Sequence, residues 1–121
     1  MILNLFGTRS KELKVPEILF DNNEEYCVRI VSVVCNLMTT PRDVDICFID
    51  CDSIASCYGQ PNTLMMGQLR PNDRWCHFPD QRSLFFPLNV YNWRDTRFSI
   101  DLGEEHVVQH FSLQIEIKTR E

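Results

Sequence analysis

A chain of 121 residues can bury one substantial core and is short for two, so a single domain spanning residues 1–121 is expected. Its apolar fraction is ordinary for a globular protein, and no stretch approaches the roughly 18 uninterrupted apolar residues of a membrane-spanning helix. Twelve basic residues against seventeen acidic ones give a net charge of -5, and the bases are scattered, among them Arg9, Lys11, Lys14, Arg70, Arg74, Arg82, Arg94 and Arg97. A phosphate-gripping groove needs several bases on one face, so neither nucleic acid nor a membrane is an expected partner.

Met1 to Gly7 carries neither a basic leader nor a long apolar run, so a secretory signal is not expected and the chain should fold in a reducing cytoplasm. Six cysteines in a chain of this length then read as reduced, mostly buried thiols. Cys27, Cys35, Cys47 and Cys51 fit this reading, lying inside or at the end of apolar strand patterns.

In chain order, Met1–Phe6 is a short apolar run closed by Gly7 and followed by the charged Thr8–Lys14, which predicts an edge strand or a mobile arm over residues 1–14. Leu13–Phe20 alternates weakly, and Pro16 places that strand at an edge or starts it beyond the proline. Asp21-Asn22-Asn23-Glu24 is turn chemistry. Tyr26–Met38 is rich in β-branched residues and lacks a helical cap. It predicts a long strand, apolar on both faces in its middle and therefore central.

Thr39–Arg42 turns the chain into a strand at Val44–Asp50. Ser53–Asn62 reads as loop, Thr63–Leu69 as a short strand interrupted at Gly67, and Arg70–Ser83 as the long loop of the molecule. Leu84–Val90 is a strand despite Pro87, Tyr91–Asp95 a connection, and Thr96–Leu102 a strand with Phe98, Ile100 and Leu102 on one face. After the turn at Gly103-Glu104-Glu105 comes the clearest signal, the terminal strand Val107–Lys118. From Phe111 to Lys118 its apolar and polar residues alternate without error, so one face belongs in a core and the other in water.

Eight strand candidates and no helix predict an all-β fold, a two-sheet antiparallel sandwich, with a jelly roll as its natural eight-stranded form and an immunoglobulin-like sandwich second. If successive strands alternate between the sheets, the terminal strand should lie between the first and third; a meander would pair it with Thr96–Leu102.

Constellations that could carry chemistry have plainer explanations. Cys47, Cys51, Cys57 and Cys76-His77 invite zinc, but strand residues four apart are separated by about 13 Å, whereas thiolates each about 2.3 Å from one zinc nearly touch. Asp50-Cys51-Asp52 opens like a calcium loop but lacks the glycine and the bidentate Glu that complete one. His77, His106 and His110 have no nucleophile signature beside them, and only four glycines leave no phosphate loop. No catalytic residue, metal or cofactor is expected, and the chain does not read as an enzyme.

The loops carry the surviving candidates, Trp75, His77, Phe78, Tyr91, Trp93 and Arg94. Aromatics interleaved with Arg suit a protein interface, equally suit a sugar-binding face, and in the blandest case plug the two ends of the sandwich.

Three stretches, Val44-Asp45-Ile46-Cys47-Phe48-Ile49-Asp50, Gly67-Gln68 and Ser83-Leu84-Phe85-Phe86-Pro87-Leu88, resemble the pattern of small vertex (penton) proteins of tailless icosahedral double-stranded DNA phages. Phe98-Ser99-Ile100-Asp101 and Phe111–Lys118 resemble the closing strands of minor capsid proteins in Polinton-type elements and their viral relatives. The resemblance implies a single jelly roll of the virion that assembles with itself into rings, five-fold at a capsid vertex, and with other capsid proteins, with no catalytic residues to carry over. The alternative is a β-sandwich module that binds a glycan or a host protein through its loop aromatics.

Overall fold

The structure, a computed structural model, describes residues 1–16, 20–21, 23–54, 62–80, 83–88, 96–103 and 105–120. Among these there is no helix, and nine strands form two antiparallel sheets. In chain order the strands are β1 (Ile2–Thr8), β2 (Glu12–Lys14), β3 (Tyr26–Leu37), β4 (Asp45–Cys51), β5 (Thr63–Leu69), β6 (Cys76–His77), β7 (Phe86–Pro87), β8 (Arg97–Asp101) and β9 (Val108–Thr119). One sheet has the order β1-β9-β3-β7, the other β2-β8-β4-β5-β6. β9 lies between β1 and β3, and β8 is in the opposite sheet.

The alternation read in β9 is what holds the sandwich shut. Phe111, Leu113, Ile115 and Ile117 point inward and are buried, while Ser112, Gln114 and Glu116 stay half-exposed. Burying each such side chain is worth about 1.5–3 kcal/mol. On the opposite face Arg29 reaches across from β3 to Glu116, an ion pair with both side chains about a quarter exposed. Partly exposed pairs of this kind contribute roughly 0–1 kcal/mol, so the inner face decides the register. Facing β9 across the core are Phe98 and Ile100 of β8 and Cys47, Ile49 and Cys51 of β4, all buried.

Several expectations are corrected. The strand near Pro16 is short and precedes the proline: β2 ends at Lys14, pairing along one side with β8 at the edge of its sheet. Residues 17–19 lie outside the described residues. β3 is central, but its middle is not buried on both faces. The pairing slips between Ile30 and Ser32, so Val28 and Ile30 face inward before the bulge and Val33, Cys35 and Leu37 after it. A phase change in one alternation therefore looks in sequence like two apolar faces. Val34, on the outer side, is 43% exposed.

β5 runs unbroken through Gly67. The stretch 70–83 holds β6, although its lack of periodicity predicts only loop. Among the described residues of 84–90, only Phe86 and Pro87 form a strand, pairing with Val28 and Cys27 at a sheet edge. Asn89 and Val90 lie outside the described residues.

Candidate interaction surface

Trp75, His77 and Phe78 share one short segment, and the turn before it explains their placement. Asn72 takes the left-handed conformation (φ 64°) that Asn tolerates. The Asp73 N–H donates to the Arg70 carbonyl (3.2 Å), and the Asp73 carboxylate accepts the Trp75 N–H (3.0 Å). The segment then bonds to both sheets: the Leu37 N–H donates to the Arg74 carbonyl (2.7 Å), Trp75 bridges to Asn36 of β3, and β6 pairs with Gln68 and Leu69 of β5. It therefore closes the side of the sandwich where β7 no longer covers β3. Alternation along it sends Cys76 into the core and leaves Trp75, 49% exposed, outside.

The His77 Nε2 contacts the Asp73 Oδ2 at 2.5 Å. Accepting the Trp75 N–H, and then the contact with His77, holds the Asp73 carboxyl below the usual aspartate range. Phe78 folds back over Gly67. A Cβ at Gly67 would stand 2.6 Å from the Phe78 ring and 2.7 Å from the His77 carbonyl, so only glycine lets β6 and the ring lie this close. Beside that contact is a hollow of about 340 Å³ lined by Ile46, Met66, Gly67, His77, Phe78 and Pro79, with Gln68 and Arg70 at its polar rim.

The hollow lies on an outer face that the loop aromatics of the sequence do not mark. Ile46 and Met66, on adjacent strands, are 52% and 43% exposed, and Phe48 opposite Met66 is half-buried. At the adjoining end of the sandwich the connections after β3, β5 and β8 are tied together: the Met38 N–H donates to the Val107 carbonyl, and the Asn72 N–H to the Pro41 carbonyl. Met38, Val44 and Val107 are exposed there along with Trp75. One signal was legible: Ile46 and Phe48 alternate with Cys47 and Ile49, so β4 is apolar on both faces. Met38 and Val107 carried none, because they become neighbours only when β3 and β9 pair. Tyr91, Trp93 and Arg94 lie outside the described residues.

The cysteine and acid candidates fall into structural roles. The Asp50 carboxylate accepts the Thr63 hydroxyl (2.9 Å), and the Asp52 carboxylate accepts the Arg97 N–H (2.9 Å) and the Ser53 hydroxyl (3.2 Å). Burial raises the Asp50 carboxyl, the Thr63 bond offsets part of that, and Asp101 nearby raises it further. Burial pushes the Cys51 thiol up to about 12. Cys76 meets thiols from both sheets: hydrogen bonds with Cys35 and then Cys47, together with burial, push it far above the ordinary thiol range. Cys57 lies outside the described residues.

His106 is half-buried, 3.8 Å from Asp45, and its buried Nε2 has no hydrogen-bond partner; His110 is half-buried on β9. Among the described residues no group of three or more His, Cys, Asp or Glu side chains is arranged to hold a metal ion. No helix among them is long and apolar enough to cross a membrane. No protein-family model, curated protein or solved structure matches the chain.

Proposed function

We propose that the chain is a single jelly-roll subunit that assembles with itself into a ring, as a structural component of a virion of the vertex or minor-capsid kind. The observation that carries this reading is the strand order. A sheet β1-β9-β3-β7 facing β2-β8-β4-β5, with successive strands changing sheet except along the β4-β5-β6 run, fits jelly-roll winding, and β6 then extends the second sheet by one short strand. Two exposed apolar areas support assembly, Ile46 and Met66 at the hollow and Trp75 with Met38, Val44 and Val107 at the adjoining end, because exposed apolar patches of this kind mark protein interfaces. A ring needs two different surfaces on each subunit that meet head to tail. The end bearing Trp75 supplies one, and the hollow beneath Phe78 is a receptor of the right character for the other.

Light scattering and electron microscopy of the purified chain test this. Closed rings of more than two copies are expected, falling apart in Met66→Asp and Trp75→Ala proteins that keep their β circular dichroism. A chain that never exceeds two copies at high concentration overturns the reading. A glycan-binding module is the second reading, favoured by exposed Trp75 standing beside the polar Asp73 and His77. Binding on a glycan array that Trp75→Ala abolishes would establish it in place of the ring.

A further inference from the structure

The sheet edges are not equally protected. β2 is three residues long and flanked by the exposed charges Glu12 and Lys14; β6 is two residues long; β7 is two residues long and contains Pro87. Each carries a device that stops another strand from pairing there. β1 carries none. It is seven residues long, Ile-Leu-Asn-Leu-Phe-Gly-Thr, with no charge and no proline, and among the described residues nothing pairs with its outer side.

Which backbone groups are free follows from the pairing with β9. The Ile117 N–H donates to the Met1 carbonyl at one end and the Arg9 N–H to the Gln109 carbonyl at the other, so the odd-numbered residues spend their backbone groups on β9. Ile2, Asn4, Phe6 and Thr8 direct theirs away from the sheet. Phe6, 75% exposed, and Ile2, 54% exposed, stand on the outer face, while Leu3 and Leu5, which pack against the core, are only half-buried.

We propose that β1 pairs antiparallel with β1 of a second copy about a two-fold axis through Asn4, joining two four-stranded sheets into one of eight strands. The occupant is a second copy because the strand complements itself. Centred on Asn4, the register sets Ile2 opposite Phe6 of the second copy on the outer face, an aromatic against β-branched pair of the kind that stabilises sheets. On the inner face it sets Leu3 opposite Leu5, covering the two core residues that the single chain leaves half-open. Ile2, Asn4 and Phe6 all present backbone groups to be exchanged, and the first charged side chain, Arg9, falls beyond the paired stretch. A foreign strand has no such reason to match. This contact is isologous and separate from the ring surface around Trp75 and Met66, so either can exist without the other.

Asn4→Pro and Asn4→Lys test the pairing. The Asn4 N–H makes no bond within the chain's own sheet, so proline removes a donor that only a second copy uses. Lysine sets two like charges face to face across the axis while its side chain remains in solvent. Light scattering of the wild-type chain should give an even multiple of 14.3 kDa, and both variants, with β circular dichroism unchanged, should give half the wild-type mass. Met66→Asp, which breaks the ring surface, should leave the two-copy species intact. A wild-type monomer, or variants that keep the wild-type mass, would overturn the proposal.

Discussion

Replacing Gly67 by alanine sets two opposing effects against each other. Alanine lowers the entropy of the unfolded chain and suits a strand interior better than glycine, which would stabilise the protein by roughly 0.5–1 kcal/mol if nothing else changed. The added methyl, however, would stand 2.6 Å from the Phe78 ring and 2.7 Å from the His77 carbonyl. The ring can swing aside; the carbonyl belongs to the β5–β6 pairing and moves only if His77 leaves Gln68. Overpacking of this kind costs about 1–3 kcal/mol, which exceeds the gain at most of its range. The net loss is at most about 2.5 kcal/mol, and with a melting temperature that shifts by several degrees per kcal/mol in a domain of this size, Gly67→Ala should melt lower by about 5 °C at mid-range and by roughly 12 °C at most. Thermal unfolding followed by circular dichroism measures the loss. Adding Phe78→Ala to it should restore only part of the difference, since the carbonyl remains in the way. A Gly67→Ala protein that melts with its parent or above it would refute the reasoning and show that Phe78 does not rest on Gly67.

Three further outcomes are expected. Asp50 has a raised carboxyl in the fold, so its contribution to stability is complete below the ordinary aspartate range and is lost as pH rises through the higher folded value. Asp50→Asn should therefore melt higher than the parent at neutral pH, with the gap closing on acidification; a gap independent of pH excludes this account. Phe98, fully buried between Leu13 and Cys51 on the neighbouring strands, should cost about 3–5 kcal/mol on truncation to alanine, read as a lower denaturant midpoint, and a loss below about 1 kcal/mol would mean that the cavity collapses. Alkylation resolved by peptide mass should leave Cys35, Cys47 and Cys76 unmodified in the folded protein at mildly alkaline pH and modify all three in denaturant; labelling of folded Cys76 would contradict its place between the other two thiols.

Read alone, the sequence determined the class of fold and most of the strand positions, because side-chain alternation is a local property and needs no partner to be seen. Phe111 to Lys118 is the clearest case: the face read as buried is the face that is buried. The same local rule misread β3, where a bulge reverses the alternation, and overlooked β6, whose two residues are a strand only because β5 lies beside them. The candidate surface divides along the same line. Aromatic content marked Trp75, His77 and Phe78, but Ile46, Met66, Met38 and Val107 join them only through strand pairing, and pairing depends on residues far apart in the chain. The meeting of Cys35, Cys47 and Cys76 and the bare edge of β1 are likewise decided in three dimensions, by how the two sheets stack and by which strand the winding leaves outermost.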